Sequence, residues 1–384
     1  MRALCRILVV LPLLLLLNLA LSSSTAPGPP LLSIDLRSLG YLPPVAERDV
    51  RSLGFLDAPV AFLDDETLAV SFLVANEQPG PSKRDTPRGS PVLFHTVLLD
   101  PLNGHVYRRR SWGNSGNWQM FLPLQNSRFF VQAADNIGVY SSDLQEIASA
   151  RIRVTGDLYP RFAVSPSGDM LFSFIDSYDA KNGWLTRIDL LDPGHLTSKP
   201  WTFTVGHRFE TVSSTQVIFA TVLQPPAPLH LFMQRIDQAV PSETRELLKP
   251  HQDAAKTIAS SGCSTATFVS ESTLAISGNC GYVFLVRAGE IIQTINAVSY
   301  RLGSDIRSSA SGDRFAFSRS QPISRTDKIF NLEVCVYDIQ RKRIIFTVPV
   351  SPLPQHKLGY ALSPHGSLFA LQSDNLLRVW GLPN

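Results

Sequence analysis

The sequence lacks the short motifs by which most enzymes and metal proteins are recognised. Its eight histidines are scattered, with no HExxH or HxH pattern and no acidic residue at metal-ligand spacing. No GxSxG nucleophile turn, phosphate-binding glycine loop or dinucleotide fingerprint occurs either. These absences leave no catalytic residue, cofactor or metal ligand to name. They do not exclude an enzyme whose site is assembled from single residues far apart in the chain.

Charged residues are also scarce, at 17% of the chain against 44% hydrophobic residues. That balance is typical of a globular protein with a sizeable core and excludes a largely disordered chain. The net charge is only +3, and Arg2 and Arg6 near the N-terminus supply two of these charges. A net charge this small gives the protein only a weak electrostatic field, so we predict no binding to nucleic acid or to acidic lipid.

Residues 1–24 are predicted to be a secretory signal peptide. Two arginines precede an apolar run over residues 7–21, and Ala20-Leu21-Ser22 supplies the small residues of a cleavage site. The run is marginal for spanning a bilayer and is interrupted by Pro12 and Asn18. The absence of any Asn-x-Ser/Thr sequon mildly favours a bacterial secretory route. We therefore expect a secreted or periplasmic protein with no further membrane span; anchoring by an uncleaved leader is the alternative.

The rest of the chain, residues 25–384, is predicted to be a single all-β domain built of repeats. No long amphipathic helical pattern occurs, whereas 28 prolines and 21 phenylalanines favour strands separated by turns. An apolar segment, a turn and a second apolar segment recur seven times, at the spacing of propeller blades with loop insertions. These hairpins cover residues 60–72, 120–133, 162–174, 211–222, 266–278, 308–318 and 360–371.

Further apolar segments complete most of the repeats. A third follows every hairpin, at residues 92–100, 137–142, 184–192, 229–237, 282–288, 332–339 and 376–382. A fourth follows in five repeats, at residues 105–112, 146–154, 199–205, 290–298 and 342–350. Four strands per repeat and seven repeats predict a seven-bladed β-propeller.

Two of the turns carry a family resemblance. Ser363-Pro364-His365-Gly366 and Ser165-Pro166-Ser167-Gly168 are similar to the SPDG turn of the inner hairpin in WD40-like, YVTN and quinoprotein-like propellers. The strand Arg378-Val379-Trp380 is similar to the third strand of a WD40 repeat. The resemblance extends over about residues 31 to 384. It implies a propeller and leaves the specific family open.

The two ends of the chain are predicted to share one blade. The last repeat stops at Asn384, directly after its third strand, and so has no outer strand of its own. The alternating segment Leu31–Leu36 stands before the first full repeat and could supply it. Closure of this kind would remove two open sheet edges.

The cysteines predict one disulfide bond. Cys263 and Cys280 flank a hairpin whose turn, centred between Glu271 and Ser272, places the two residues opposite each other, within reach of a bridge. An exported chain meets an oxidising compartment, which favours that bridge over two buried thiols. No CxxC or CxxCH motif supports zinc, redox or haem chemistry. Cys335, in an alternating strand, is expected to be a buried free thiol.

Loops of unequal length indicate which face of the propeller carries any function. The loops that join second to third strands, and one blade to the next, emerge on one face and include residues 76–91, 176–183 and 319–331. On this face Trp112, Trp118, Tyr178 and Trp184 could form an aromatic platform for a glycan or peptide. The alternative is that the tryptophans pack between blades.

Three functions from different classes remain open. The leading hypothesis is an exported propeller that binds or scaffolds a protein or polymer, without catalysis and without a cofactor. The second is a propeller enzyme of the lactonase or quinoprotein kind, with a metal or cofactor in the central channel. Only five tryptophans weaken the quinoprotein variant. The third is a structural surface protein.

Overall fold

The structure is a computed structural model that describes most of the chain from Pro27 onward. The described residues are 27–41, 60–75, 92–113, 119–133, 136–152, 160–179, 183–201, 208–220, 230–236, 245–248, 253, 256–258, 263, 265–278, 280–297, 306–322, 329–352 and 358–384. The predicted leader, residues 1–24, lies outside them. Within the described residues, no helix is long and apolar enough to cross a membrane.

Strands dominate the described residues. A 3-10 helix covers Leu36–Leu39, and Asp253 and residues 256–258 are helical. In chain order the strands are β1 (Leu32–Asp35), β2 (Val60–Phe62), β3 (Leu68–Ala75), β4 (Val92–Leu99), β5 (Val106–Gly113), β6 (Gln119–Leu124), β7 (Arg128–Ala133), β8 (Asn136–Tyr140), β9 (Glu146–Arg151), β10 (Arg161–Val164), β11 (Leu171–Asp179), β12 (Gly183–Leu191), β13 (Ser198–Trp201), β14 (Arg208–Val212), β15 (Gln216–Ala220), β16 (Leu231–Arg235), β17 (Arg245–Glu246), β18 (Thr265–Ser270), β19 (Thr273–Ser277), β20 (Tyr282–Arg287), β21 (Glu290–Asn296), β22 (Arg307–Ser308), β23 (Arg314–Pro322), β24 (Ile329–Asp338), β25 (Arg343–Pro349), β26 (Leu358–Leu362), β27 (Leu368–Ser373) and β28 (Leu376–Gly381).

These strands form seven four-stranded antiparallel sheets, which are the seven predicted blades. Blade 1 is β2-β3-β4-β5, and blades 2 to 6 take the next strands in sets of four. Blade 7 is β26-β27-β28 with β1 as its fourth strand. The seven-bladed propeller predicted from the repeats is therefore confirmed, and each predicted hairpin coincides with the first two strands of a blade.

The pattern of buried residues differs between the middle strands of a blade and its outer strand, because neighbouring blades cover both faces of a middle strand. Every residue of β19 and of β27 is buried. Outer strands such as β9 and β21 instead alternate between exposed and partly buried residues. Continuous apolar runs are therefore typical of the middle strands, and alternating apolar and polar residues are typical of the outer strands.

The core of the protein lies between the blades. The described residues form seven apolar clusters, and each joins the facing sides of two adjacent blades. The cluster between blades 7 and 1, for example, combines Leu377 and Val379 with Val70 and Phe72. A blade therefore buries its apolar side chains only in the company of both neighbours.

The ring is closed by the N-terminal strand, as predicted. Leu32 pairs with Val379, and Asp35 pairs with Leu376, in an antiparallel ladder between β1 and β28. Backbone hydrogen bonds from Leu31 to Val379 at 2.8 Å and from Leu36 to Asn375 at 2.7 Å extend this ladder. Leu36 is completely buried in the cluster between blades 7 and 1.

Blade 4 has an outer strand that the repeat pattern does not reveal. This strand, β17, consists only of Arg245 and Glu246, which pair with Met233 and Phe232 of β16. Two residues are too few to show an alternating pattern, so the sequence predicts a fourth strand in only five repeats.

The predicted disulfide joins Cys263 to Cys280, with the two Cα atoms 4.6 Å apart. The ladder beneath it differs by one residue from the predicted register, because Thr265 pairs with Ser277 and a bulge shifts the register between Phe268 and Ser270. The bridge therefore links residues just beyond the strand ends. Cys335 is a buried free thiol, and burial raises its pKa to about 11.

Replacing both Cys263 and Cys280 by alanine is expected to lower the free energy of unfolding by about 3 kcal/mol, because the bridge restricts the unfolded chain. The cysteines are 17 residues apart in the sequence. Denaturant unfolding with and without a reductant measures the effect. The reductant should shift the wild-type midpoint to that of the double variant and leave the double variant unchanged. An unshifted wild-type midpoint would refute the stabilising role.

Candidate functional site

A cavity of about 580 Å³ is enclosed by the first strand of every blade. These inner strands are β2, β6, β10, β14, β18, β22 and β26, and each stands at the edge of its sheet. The inner edges of all seven blades therefore face the cavity, which lies on the axis of the ring.

The side chains that line the cavity are mainly apolar or neutral. The charged types among them are Asp64, Asp65, Arg307 and His365. The neutral polar groups are hydroxyls and amides, from Gln125, Asn126, Ser127, Ser165, Ser167, Thr211, Thr267, Ser308 and Tyr360. Such a wall can form many hydrogen bonds to an uncharged ligand. Within the described part of the chain, no group of three or more His, Cys, Asp or Glu residues is placed to hold a metal ion.

The cavity reaches the face of the ring that carries the inner hairpin turns. Its lining includes the turn residues Asp64 and Asp65, Gln125–Ser127, and Pro364 and His365. In an antiparallel blade, the turn between the first two strands lies at the opposite end from the loop between the second and third. This is therefore the face opposite to the one on which the sequence analysis places the aromatic platform.

A buried serine shapes the inner turn of several blades. The hydroxyl of Ser363 accepts a hydrogen bond from the backbone N–H of Leu368 at 3.1 Å, and the carbonyl of Ser363 accepts one from Gly366 at 2.8 Å. Ser165 makes the same two bonds, to Met170 and Gly168. In both turns the glycine has a positive φ, which explains the S-x-x-G spacing that carries the family resemblance.

Glu271, in the inner turn of blade 5, connects three blades at the rim of the cavity. One carboxylate oxygen accepts a hydrogen bond from the backbone N–H of Ser167 in blade 3, at 3.1 Å. The other accepts from the backbone N–H of Ser214 in blade 4, at 2.7 Å, and from the Ser214 hydroxyl. A charged acceptor with three donors is strongly favoured, so Glu271 fixes the relative positions of these turns.

A second polar contact crosses the closure between blades 7 and 1. The Nδ1 atom of His365 is hydrogen-bonded to a carboxylate oxygen of Asp65, and both residues line the cavity. Burial raises the pKa of Asp65, but hydrogen bonds from His365 and Ser363 and the charge of His365 outweigh it, so the pKa lies below its usual value. His365, the third residue of its inner turn, therefore meets an aspartate of the next blade.

Blades 6 and 7 are held together by Arg314. Its guanidinium donates to the backbone carbonyls of Gly366 at 2.6 Å and Pro383 at 2.9 Å. The same group lies 3.5 Å from a carboxylate oxygen of Asp338, and both side chains are largely buried. Ser311 also donates from its backbone N–H to the carbonyl of Pro364, at 3.0 Å.

Trp112, one of the four residues of the predicted aromatic platform, lies in the core between blades 1 and 2. Its side chain is 7% exposed, its Nε1 donates to Thr96 at 2.8 Å, and its ring meets that of Tyr140 with centroids 4.6 Å apart. The guanidinium of Arg110 lies over both rings. For Trp112, therefore, the alternative that the tryptophan packs between blades holds, and its ring is closed to a ligand.

The other three platform residues are not tested by the structure. Tyr178 and Trp184 are backbone partners in the ladder between β11 and β12, so the fold does bring these two positions together. Their side chains, and the whole of Trp118, lie outside the described residues. A platform on that face stays a prediction for these residues.

The residues that organise the rim of the cavity were not predicted as site residues. Glu271 and Arg314 each bind turns that are more than fifty positions away in the sequence, so no local spacing connects them with their partners. The recurrent S-x-x-G turns were the available signal, since they mark the face on which these side chains meet.

Comparisons with known proteins leave the family open. No family model matches the chain, and no curated protein matches it. Among solved structures, the chain is similar to a protein designated TolB from Agrobacterium tumefaciens, with a TM-score of 0.41 and 12% sequence identity. The alignment covers 72% of this chain and 95% of that chain. A likeness of this degree says nothing about what the chain binds.

Proposed function

We propose that the protein is an exported binding module that holds a segment of a protein or polymer in the central cavity. The observation that carries this proposal is the wall of the cavity, which all seven inner strands line and whose polar groups are mostly neutral hydroxyls and amides. Its volume of about 580 Å³ lies within the usual range for ligand pockets. Many neutral donors and acceptors around an apolar wall favour binding over acid–base chemistry.

The charged residues at the rim support the same reading. Asp65 and His365 are hydrogen-bonded to each other across the closure of the ring. Glu271 accepts three hydrogen bonds from the inner turns of blades 3 and 4. These side chains therefore hold the shape of the cavity, and the groups that face a ligand are mostly the uncharged ones.

Export is the second part of the proposal. It rests on the predicted leader at residues 1–24 and on the disulfide between Cys263 and Cys280, since disulfides form and persist in oxidising compartments. The mature protein would then act in the periplasm or outside the cell.

A plugged variant tests the binding role. Thr267 lines the cavity, so Thr267→Trp should fill it. Ile147→Trp, at an exposed position of β9, is the matched control. On arrays of oligosaccharides and extended peptides, the wild type and the control should bind the same subset, and the plugged variant should lose at least about tenfold in affinity, equivalent to 1.4 kcal/mol.

Three results would overturn this proposal. The first is that the wild type binds nothing on either array, and the second is that the plugged variant binds as well as the control. The third is stoichiometric calcium or zinc in the purified protein, which would favour the alternative of a propeller enzyme with a metal in its channel. Thermal unfolding of both variants verifies that they fold.

A further inference from the structure

The inner hairpin turns place negative charge around the mouth of the cavity. His365 is the only basic side chain in these seven turns, one from each blade. The turns of blades 1, 3, 5 and 6 contain the carboxylates Asp64, Asp65, Glu66, Asp169, Glu271 and Asp313. Arg128 and Arg314 begin the strands after two of the turns, and Arg307 lies on the wall of the cavity. Of these, Arg314 is already paired with Asp338. Acidic groups therefore outnumber basic groups at this end of the ring.

Most of these carboxylates keep an uncompensated charge because the groups that donate to them are neutral. Hydroxyl, amide or backbone N–H groups donate to Asp64, Asp169, Glu271 and Asp313. Toward the opposite face, by contrast, an arginine binds each of the carboxylates of Asp35, Asp176 and Glu333. Neutral donors stabilise a carboxylate without cancelling its field in the surrounding water. The face with the inner turns therefore attracts positive charge.

Asp65 brings an unfilled acceptor to the wall of the cavity. Its Oδ2 atom is hydrogen-bonded to His365, whereas its Oδ1 atom is buried and accepts no hydrogen bond from the described residues. The side chain as a whole is 33% exposed, so it can be approached from the cavity. Buried polar atoms are nearly always hydrogen-bonded in folded proteins, and a cationic donor is a strong partner for a carboxylate. A positively charged group in the cavity would supply the missing compensation.

We propose that the cavity receives a segment of a partner protein that carries lysine or arginine, and that the acidic turns attract this segment. The inference rests on the binding role proposed above and adds the charge of the ligand to it. A cleft bordered by charge of one sign concentrates the field and speeds the association of a ligand of the opposite sign. The largely neutral wall then binds the rest of the segment. A segment rich in acidic residues is repelled at the same mouth.

Three sets of short extended peptides test the charge of the ligand. The sets are identical except that they carry lysine, glutamine or glutamate at the same positions. At low ionic strength the wild type should bind the lysine set at least about tenfold more tightly than the glutamate set, mainly through faster association. At about 1 M salt most of this preference should disappear, because charges are then screened over a few ångströms. Surface plasmon resonance measures both the rates and the affinities.

A pair of matched double variants tests whether the inner turns are the source of the attraction. Glu66→Gln with Asp313→Asn removes two carboxylates beside the mouth, and Asn can still accept the hydrogen bond from Gln340. Asp143→Asn with Glu290→Gln is the control, since it changes the net charge equally at exposed positions near the outer turns of the same face. The first variant should lose at least about threefold in association rate with the lysine set. The control should stay close to the wild type.

The outcomes separate this inference from the binding role itself. Equal or tighter binding of the glutamine or glutamate set would overturn the inference, as would equal losses in the two double variants. If Thr267→Trp still abolishes that binding, the cavity remains the binding site and only the charge of the ligand is wrong. If no peptide binds, or if Thr267→Trp binds as the wild type does, both proposals fail. Thermal unfolding verifies that every variant folds.

Discussion

Removal of residues 27–41 is expected to prevent stable folding of the ring or to lower its unfolding temperature strongly. The deletion strips β1 from β28 and uncovers the cluster between blades 7 and 1, to which Leu36 and Tyr41 contribute almost fully buried side chains. It also leaves blade 7 with a free sheet edge along β28, on the outside of the ring. Thermal and denaturant unfolding of the truncated and full chains measures the effect.

Point variants show whether this effect comes from closure. Leu36→Ala should lower the free energy of unfolding by about 2–5 kcal/mol, because it removes a fully buried side chain and leaves a cavity. Leu31→Ala is the control, since Leu31 stands at the start of the same segment with its side chain 54% exposed. It should change stability by less than about 0.5 kcal/mol. Equal effects of the two variants would contradict closure through Leu36.

Arg314→Met is the other substitution with a large expected effect. It removes the donors to Gly366 and Pro383 and the nearer guanidinium beside the buried Asp338 carboxylate, which keeps a hydrogen bond from the backbone N–H of Arg341 at 2.8 Å. Loss of one partner of a buried ion pair costs about 3–5 kcal/mol because the remaining charge is left without compensation. Arg341, 3.9 Å from the same carboxylate, reduces the loss. We therefore expect a value near the lower end, measured by denaturant unfolding.

Two further variants define the origin of that loss. Adding Asp338→Asn to Arg314→Met should recover part of the lost stability, because the uncompensated charge is then gone. Arg37→Met breaks the exposed pair with Asp35, which water screens, and should have only a small effect on stability. If Arg314→Met were as mild as Arg37→Met, the contact between blades 6 and 7 would not depend on this arginine.

The repeats were readable because each inner hairpin is local. Its strands, such as residues 60–62 and 68–75, are apolar runs separated by a polar turn and lie beside each other in the sequence. Closure by residues 31–36 was predictable for a related reason, since one blade visibly lacked a strand. The disulfide was also predictable, although the bulge at Val269 shifted its ladder by one residue. Bulges leave no clear mark in a hydrophobic pattern.

Much less of the candidate site than of the fold could be predicted from the sequence. Glu271 and Ser167 meet only because the ring brings blades 3 and 5 to the same rim, and no spacing encodes that contact. Trp112 was assigned to an open face because its position along the strand indicates the end of the blade but not which neighbour covers it. Burial of this kind is set by packing between blades, which the pattern within one blade does not contain.

Because β1 pairs with β28, the ring can close only after almost the whole chain has been synthesised. Leu32 belongs to the part of the chain that is synthesised first, and its partner Val379 is among the last residues to appear. A contact between such distant parts of a chain is slow to form, because the intervening loop must be closed first. The N-terminal strand β1 therefore stays unpaired until β28 has been synthesised. During that interval an exposed strand edge at each end is open to aggregation, and any factor that shields unfolded chains acts most usefully there.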